Sequence, residues 1–180
     1  MAVVIMGVSG SGKSTLGARL AHALGATFLE GDKFHSEAAV AKMRGGHPLT
    51  DDDRWPWLDR LGAAIGAELR ANGLAVAACS ALRRSYRDRL ARAIAAPTRF
   101  ILLDGSADDL RPRMAARAGH YMPTSLLDSQ LDTLERLSPD EPGITFGADA
   151  PPDQICCSAL QWLEGEGAVA NQRGGQANEA

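Results

Sequence analysis

The chain has 180 residues, a length that suits one domain, with room for a small mobile subdomain. Its 45% hydrophobic and 23% charged residues form a globular balance, which excludes wholesale disorder and collagen-like architectures. A formal net charge of −3 argues against nucleic-acid binding through bulk charge, and the longest strongly apolar stretch, 74–82, is too short to cross a bilayer. The first residues have a strand pattern and not that of a signal peptide. The three cysteines include no C-x-x-C pair, so we expect neither a disulfide framework nor a zinc site. Both observations lead us to expect a cytoplasmic protein.

Strand signals and helix signals alternate along the chain. Short apolar runs bounded by turn residues predict five strands, at residues 3–6, 27–29, 74–79, 99–103 and 144–146. Apolar residues at helical spacing predict seven helices, at residues 15–24, 36–44, 54–72, 83–94, 107–116, 126–137 and 151–163. This alternation predicts a three-layer α/β fold, in which a five-stranded parallel sheet carries helices on both faces. We expect a single domain at 1–164 and a disordered tail at 165–180, where no apolar period is present.

A glycine-rich segment between the first strand and the first helix matches the Walker A pattern G-x-x-x-x-G-K-S completely. Its glycines let backbone N–H groups wrap a phosphate, and the helix N-terminus adds positive potential. Lys13 is predicted to reach the β- and γ-phosphates of ATP, and the Ser14 hydroxyl to hold Mg²⁺. The candidate nucleotide-binding residues of this segment are Gly7, Ser9, Gly10, Ser11, Gly12, Lys13, Ser14 and Thr15, the last of which also serves simply as a helix residue.

A Walker B aspartate, which GTPases and motor ATPases place at the end of an apolar strand, has no good candidate in the chain. The third predicted strand runs into Ser80, and Asp104 after the fourth strand is better explained as a turn residue. These observations disfavour both classes and favour kinases of small molecules, which place their acidic residue elsewhere.

Two carboxylates, Glu30 and Asp32, follow the second predicted strand, which we expect to lie beside the first. An acceptor hydroxyl needs a carboxylate that orients it and takes its proton, and we assign this role to Asp32. Glu30 is a candidate to hold a Mg²⁺-bound water. Glu-Gly-Asp is also an ordinary turn sequence, but ligands of parallel sheets bind at the carboxyl ends of strands, which favours a functional Asp32.

The segment after residue 50 combines three aspartates with an arginine and two tryptophans. One aspartate of 51–53 is expected to cap the following helix, with Pro56 in the first helical turn. Trp57 has two equal interpretations, as part of a recognition surface beside Arg54 or as a core residue.

Two further groups of arginines are candidates for anion binding. Arg83, Arg84 and Arg87 form a local cationic cluster, which suggests an acceptor with a carboxylate. Arg113 and Arg117 share one helix face beside a polar segment at 117–125, which we interpret as a short lid that excludes water. A solvated surface pair explains their spacing equally well, and His120 alone is more often a surface or packing residue.

Taken together, these segments resemble the small P-loop gluconokinases, from residue 3 to about residue 160. The Walker A segment is generic, whereas Asp-Asp-Asp-Arg-x-Pro-Trp-Leu at 51–58 and Cys-Ser-Ala-Leu at 79–82 are much more specific. The other matching positions are 28–32 with His35, 42–43, Gly46, 48–49, 86–88, Arg113, 116–117, 119–120, Gln130 and 133–135. The chain departs from the family pattern at Glu30, where Asp is frequent, at Arg136, where Pro is common, and in the tail.

The resemblance implies the fold of the shikimate and nucleoside-monophosphate kinases, and phosphorylation of D-gluconate to 6-phospho-D-gluconate with ATP and Mg²⁺. It implies catalytic roles for Lys13, Asp32 and Arg117, and a place near the adenine for Arg113. The residues assigned to the acceptor are Asp32, His35, Arg54, Arg83, Arg87, His120 and Gln130. We expect no nucleic-acid or membrane partner and leave a homodimer open. The alternatives are a kinase for another anionic alcohol, such as shikimate, and a nucleotide-binding switch or scaffold that transfers no phosphate.

Overall fold

The computed structural model describes residues 1–115 and 126–175, and for 166–175 it describes the helical backbone alone. The five predicted strands are confirmed and pair in parallel into one sheet. They are β1 (Ala2–Met6), β2 (Thr27–Glu30), β3 (Ala75–Ala78), β4 (Thr98–Asp104) and β5 (Gly143–Gly147). The described helices are α1 (Lys13–Leu24), a 3-10 helix (Gly31–Phe34), α2 (Glu37–Arg44), α3 (Asp51–Asn72), α4 (Arg84–Ile94), α5 (Ala107–Ala115), α6 (Leu126–Thr133) and α7 (Pro152–Gly175).

The three central strands, β1, β3 and β4, are buried on both faces, which explains why they are continuous apolar runs, whereas the edge strands β2 and β5 are partly exposed. Val3 and Ile5 point to one face, where they pack in a core with residues of α1, α5 and α7. Val4 and Met6 point to the other face, where they pack with α3 and α4. The predicted three-layer architecture is therefore confirmed. No helix in the described ranges is both long enough and apolar enough to cross a membrane.

The order of the strands is β2-β3-β1-β4-β5, so the expectation that β2 lies beside β1 is wrong. β3 is inserted between them and aligns Ala78 with both Glu30 of β2 and Ile5 of β1. The helical crossover through α1 is long enough to pass over one strand position, and the local sequence does not predict which position β2 takes. The segment after β3 consequently lies between the phosphate loop and Asp32.

α3 begins at Asp51, three residues earlier than predicted, and its cap is Thr50 instead of an aspartate. The Thr50 hydroxyl accepts the Asp53 N–H at 3.4 Å, and the Asp53 carboxylate accepts the Thr50 N–H at 2.8 Å. This reciprocal capping box satisfies two N–H groups that the helix itself cannot pair. Pro56 therefore lies in the second turn, where it lacks the N–H that would bond to the fourth residue before it.

Two other helices end elsewhere than predicted. α6 stops at Thr133 because the chain then turns toward the start of α4, where the Glu135 N–H donates to the Leu82 carbonyl at 2.8 Å. α7 continues to Gly175, although we predicted disorder from residue 165. A helix that is anchored by packing can continue without an apolar period, because each further residue adds a hydrogen bond without a new nucleation cost. Residues 176–180 of the predicted tail lie outside the described ranges.

Candidate active site

The glycines of the phosphate loop, residues 7–12, stand where only glycine fits well. Gly7, Gly10 and Gly12 have φ angles of +138°, +82° and +96°, in the region that side chains rarely adopt. A Cβ atom on Gly7 would also lie 2.6 Å from the carbonyl oxygen of Leu103 on β4. The loop is attached to the neighbouring strand as well, because the Gly7 N–H donates to the Ser80 carbonyl at 3.3 Å.

The interior of the phosphate loop holds polar groups suited to an anion. The Ser11 hydroxyl is buried and has no hydrogen-bond partner among the described residues. Lys13 Nζ reaches back over the loop and donates to the Val8 carbonyl at 2.9 Å, and the Ser9 N–H donates to Gln130 Oε1 at 2.7 Å. Ser14 lies in the first turn of α1, where no side chain caps the N–H groups. An unpaired buried hydroxyl in a glycine cradle at a helix N-terminus fits a phosphate chain.

Two pockets open on opposite sides of the phosphate loop. The pocket on the β2 side, here called the Asp32 pocket, is lined by Ser9, Lys13, Asp32, His35, Met43, Pro48, Leu49, Arg54, Ser80, Leu126, Ser129 and Gln130. The pocket on the β5 side, here called the Arg113 pocket, is lined by Ser11, Gly12, Thr15, Leu16, Leu103, Arg113, 148–152 and Ile155. A kinase needs one binding place for its nucleotide and another for its acceptor, with the phosphates between them, and this arrangement provides both.

Asp32 is placed by a turn that is held on two sides. Gly31 lies so close to β3 that a Cβ atom on it would meet the Ala78 carbonyl oxygen at 2.2 Å. Trp57 Nε1 donates to the Gly31 carbonyl at 2.8 Å, and the Trp57 side chain is buried. Of our two interpretations of Trp57, the structure supports the core residue. The glycine of Glu-Gly-Asp is thus required by close packing, and the turn presents Asp32 to the pocket.

His35 lies in the same pocket, stacked on Trp57 with 4.1 Å between ring centroids. Burial lowers the pKa of His35 to about 4, and the charges of Arg54 and Arg60 act in the same direction against that of Asp32. The ring is therefore neutral at pH 7, with one nitrogen a donor and the other an acceptor. Its buried Nδ1 has no partner among the described residues, which makes the ring suitable for a ligand hydroxyl.

Arg54 is a cation of the Asp32 pocket that forms no ion pair with a carboxylate of the described residues. Its Nε donates to the Leu49 carbonyl at 3.4 Å, and its guanidinium carbon lies 5.3 Å from the ring centroid of Tyr86. Among the ion pairs of the described ranges, none involves Arg54. Burial lowers the pKa of Arg54, and the nearby charge of Asp51 acts in the opposite direction without forming an ion pair with Arg54. An acceptor with a carboxylate would supply a direct partner.

The arginine cluster around residue 85 divides into three different environments. Arg83 pairs with Asp51 at 3.3 Å and is half exposed, and Arg84 pairs with Asp140 on the surface at 2.6 Å. Neither lines the Asp32 pocket, although Arg83 was predicted to bind the acceptor. The local cluster is thus a set of separate ion pairs instead of one anion site.

Arg87 differs most from our prediction that it binds the acceptor. Its side chain is 1% exposed, and its Nε and Nη2 atoms donate to the two carboxylate oxygens of Glu141 at 2.5 and 2.8 Å. Its Nη1 donates to the carbonyls of Ala81, Leu82 and Glu135. With these bonds made, the structure gives Arg87 a structural role and leaves it no free face for a substrate.

The remaining predicted residues line the Arg113 pocket or lie outside the described ranges. Arg113 lines the Arg113 pocket and donates to the Ala148 carbonyl at 2.6 Å, which places it beside the loop after β5. Thr15 lies in α1 and also lines this pocket. Arg117, His120 and the predicted lid at 117–125 lie outside the described residues.

Sequence reasoning missed several pocket residues, including Ser80 and Ser129. Ser80 could have been found, because it follows β3 at the carboxyl edge of the sheet. The next residue, Ala81, has a left-handed φ of +41°, and its N–H is bonded to the Cys79 sulfur. Burial raises the pKa of the Cys79 thiol to about 12, so this cysteine is a structural residue and not a nucleophile.

The parallel sheet, the phosphate loop and the two flanking pockets define a P-loop kinase of small molecules.

A family model described as an AAA domain matches residues 3–137. The chain is 44% identical over 164 residues to the gluconokinase of Gluconobacter oxydans, which covers 91% of this chain and 92% of that protein. An unliganded sugar kinase structure from a Janibacter species has a TM-score of 0.84 and 48% identity, covering 91% of this chain and 94% of the other. A gluconokinase structure from Sinorhizobium meliloti has a TM-score of 0.83 and 43% identity, covering 96% of both chains. The chain belongs to the gluconokinase family.

Proposed function

We propose that the protein transfers the γ-phosphoryl group of ATP to D-gluconate and forms 6-phospho-D-gluconate. The observation that carries the proposal is the Asp32 pocket, which combines a carboxylate, an arginine without a carboxylate partner and the lysine of the phosphate loop. A linear sugar acid has complementary groups, namely a hydroxyl to be phosphorylated, a carboxylate and further hydroxyls between them. The relatives named above support gluconate as the sugar acid.

In the proposed reaction Asp32 accepts the proton of the attacking hydroxyl of gluconate. That hydroxyl oxygen forms a bond to the γ-phosphorus as the bond from phosphorus to the leaving oxygen of ADP breaks. Lys13 lines the same pocket from the phosphate loop, where its charge stabilises the phosphoryl group in transfer. His35 and Arg54 hold the acceptor through a hydroxyl and the carboxylate, so that the reacting oxygen is placed near Asp32.

ATP use follows from membership of the P-loop kinase class, and we propose that its nucleoside occupies the Arg113 pocket. Ser11, Gly12, Thr15 and Arg113 line that pocket, and the buried Ser11 hydroxyl fits a phosphate oxygen. We propose that the Ser14 hydroxyl holds Mg²⁺, an ion that neutralises charge on the β- and γ-phosphates when it is bound. Ser9 and the glycines of the loop complete the proposed phosphate site, and Arg117 remains a prediction for this site. Gln130, which lines the Asp32 pocket, remains assigned to the acceptor.

We also propose a cytoplasmic location. The three cysteines, Cys79, Cys156 and Cys157, are free thiols, which agrees with a reducing compartment. A homodimer remains open, and light scattering after size exclusion would decide it.

A coupled assay of ADP release with MgATP tests the proposal. We expect strong turnover with D-gluconate and background rates with shikimate, AMP or no acceptor. Preference for shikimate would favour the kinase for another anionic alcohol. Slow hydrolysis that no acceptor changes would favour the switch, because a switch does not need an acceptor hydroxyl.

A further inference from the structure

The Arg54 side chain is held in the Asp32 pocket by few contacts. Its only hydrogen bond among the described contacts is the long one to the Leu49 carbonyl at 3.4 Å. The ring of Tyr86 is its other support, with 5.3 Å between the guanidinium carbon and the ring centroid. A long, rotamer-rich side chain in a pocket needs such support to stay in one position.

Tyr86 is well placed to support a neighbour because it is itself immobilised. It lies in the first turn of α4, is 1% exposed, and meets the edge of Trp55 with 5.3 Å between ring centroids. Its hydroxyl donates to Asp51, the residue that opens α3. The ring is thus anchored at its hydroxyl end and packed at its edge, while α3 and α4 hold its two ends.

Among the described charged residues around Tyr86, it is Arg83 and not Arg54 that forms an ion pair with Asp51. Arg83 also lies near the ring, at 5.7 Å from the centroid, but it is paired with Asp51 at 3.3 Å. The cluster of Asp51, Arg54 and Arg83 therefore has two cations and one anion. The unmatched positive charge belongs to Arg54, the member of the cluster that lines the Asp32 pocket.

The type of support matters for binding. A guanidinium above an aromatic ring is attracted through the face of the ring, so the contact uses none of the N–H groups in a hydrogen bond. An ion pair with a protein carboxylate would have used two of them, as Glu141 does with Arg87. Support by Tyr86 therefore leaves the planar edge of Arg54 open for bidentate pairing with a carboxylate.

We propose that Tyr86 is a positioning residue for recognition of the acceptor's carboxylate: it holds Arg54 through the face of its ring, with Asp51 anchoring the ring and neutralising Arg83. This inference rests on the proposed function and deepens it. Tyr86 touches no reacting atom, so it acts through Arg54. It determines how well the pocket distinguishes a sugar acid from a neutral polyol of the same length.

A double-mutant cycle on the full chain tests this role. We expect Tyr86→Leu to raise the KM for D-gluconate about tenfold and to leave kcat and the KM for ATP within about twofold, as loss of an oriented charge contact predicts. In an Arg54→Ala background the same Tyr86→Leu change is expected to raise the gluconate KM by less than about twofold, since coupled residues are not additive. Tyr86→Phe keeps the ring and is expected to raise the KM by less than about threefold.

Two controls keep the test decisive. Thermal unfolding of each variant checks that it is folded, and Tyr86→Met, which fills similar space without an aromatic face, replaces Tyr86→Leu if the latter does not fold. Equal and additive increases in both backgrounds, or a fall in kcat with an unchanged gluconate KM, would overturn the inference. An unmutated protein that shows no gluconate-dependent turnover would instead overturn the proposed function, so the two failures are distinguishable.

Discussion

Arg54 and Arg87 occupy the same position in two neighbouring helices and yet have opposite environments. Each is the fourth residue of its helix, α3 and α4, and both helices cover the same face of the sheet. Arg87 is 1% exposed and bonded to both oxygens of Glu141 and to three carbonyls. Arg54 has one long hydrogen bond and an aromatic ring.

The difference teaches how a binding arginine is recognised among structural ones. A buried cation that is paired with a carboxylate belongs to the fold, because removal of its partner leaves an uncompensated buried charge. A partly buried cation without a counter-ion contributes little to stability and leaves its charge to be balanced by a ligand. The comparison extends to the regions around them, namely the Asp32 pocket around Arg54 and the buried ion pair of Arg87 and Glu141, here called the buried cluster.

The largest effect is expected within the Asp32 pocket. Asp32→Asn removes the proposed proton acceptor and should lower kcat about 10²–10⁴-fold, the range for general-base residues. The unfolding free energy should change little, because the Asp32 side chain makes no hydrogen bond to another described residue. Steady-state kinetics and urea unfolding of the same preparation would measure both quantities.

The matched control is Asp52→Asn, the same substitution on an exposed aspartate outside the pocket. It should leave the kinetic constants unchanged. A full rate for Asp32→Asn would refute its role as the base even if gluconate is the acceptor.

The buried cluster should respond in the opposite way. Glu141→Gln keeps the shape but removes the charge opposite Arg87, and we expect a loss of about 3–5 kcal/mol in the free energy of unfolding. Where the variant is folded, its KM for gluconate should stay within about threefold, because the cluster does not line the pocket. Urea unfolding compared with kinetics at low temperature would measure this.

Asp140→Asn is the control for Glu141→Gln, since it breaks the exposed pair with Arg84 on the same segment. Exposed pairs contribute little, so we expect no measurable change in stability. Equal losses for both variants would mean that the buried geometry of Glu141 has no special importance.

Arg54→Ala is expected to have a smaller but specific effect, a rise of about tenfold to a hundredfold in the KM for gluconate from the loss of a charge-assisted bidentate pair. The melting temperature should change by no more than a few degrees, since the side chain makes one long hydrogen bond. Kinetics with gluconate and ATP varied separately would show whether the loss is confined to the acceptor. An equal rise in the KM for ATP would place Arg54 on the nucleotide side instead.

The smallest effect concerns pH and the neutral His35. Burial lowers its pKa from 6.5 to about 4, so the unfolded chain binds a proton more readily than the folded one between these values. The free energy of unfolding should therefore fall as the pH decreases from about 6.5 to about 4, with a contribution of about 1–3 kcal/mol from this group. His35→Gln should flatten that part of the stability curve, measured by urea unfolding at several pH values. Identical curves for the two proteins would contradict a neutral His35.

Much of the fold was predictable because it depends on local patterns. The strands and most helix bounds follow from runs and periods of apolar residues, and they differ from the structure by a few residues. The position of β3 between β2 and β1 was not predictable, because a crossover of given length can reach more than one strand position. The start of α3 was mispredicted because Thr50 competes with three aspartates as a cap, and several of these residues are good caps by sequence.

The residues of the candidate site were likewise predictable only in part. Asp32, His35, Arg54 and Gln130 were named from the sequence, and the structure brings them to one pocket beside Lys13. Arg87 was named with them, and its partner Glu141 lies 54 residues away in the chain. No local pattern reports such a partner, so the sequence alone cannot distinguish a paired arginine from an unpaired one.

The sequence by itself identifies the phosphate loop, because its glycines, its lysine and the helix N-terminus are contiguous. The folded loop is in addition held by contacts with distant segments, such as the Ser80 carbonyl. The tertiary structure alone decides which charges stay unbalanced. That decision depends on contacts between distant segments, such as Asp51 with Arg83 and Glu141 with Arg87. The phosphate loop can therefore be predicted from the sequence alone, whereas the residues proposed to recognise the acceptor can be identified only in the folded structure.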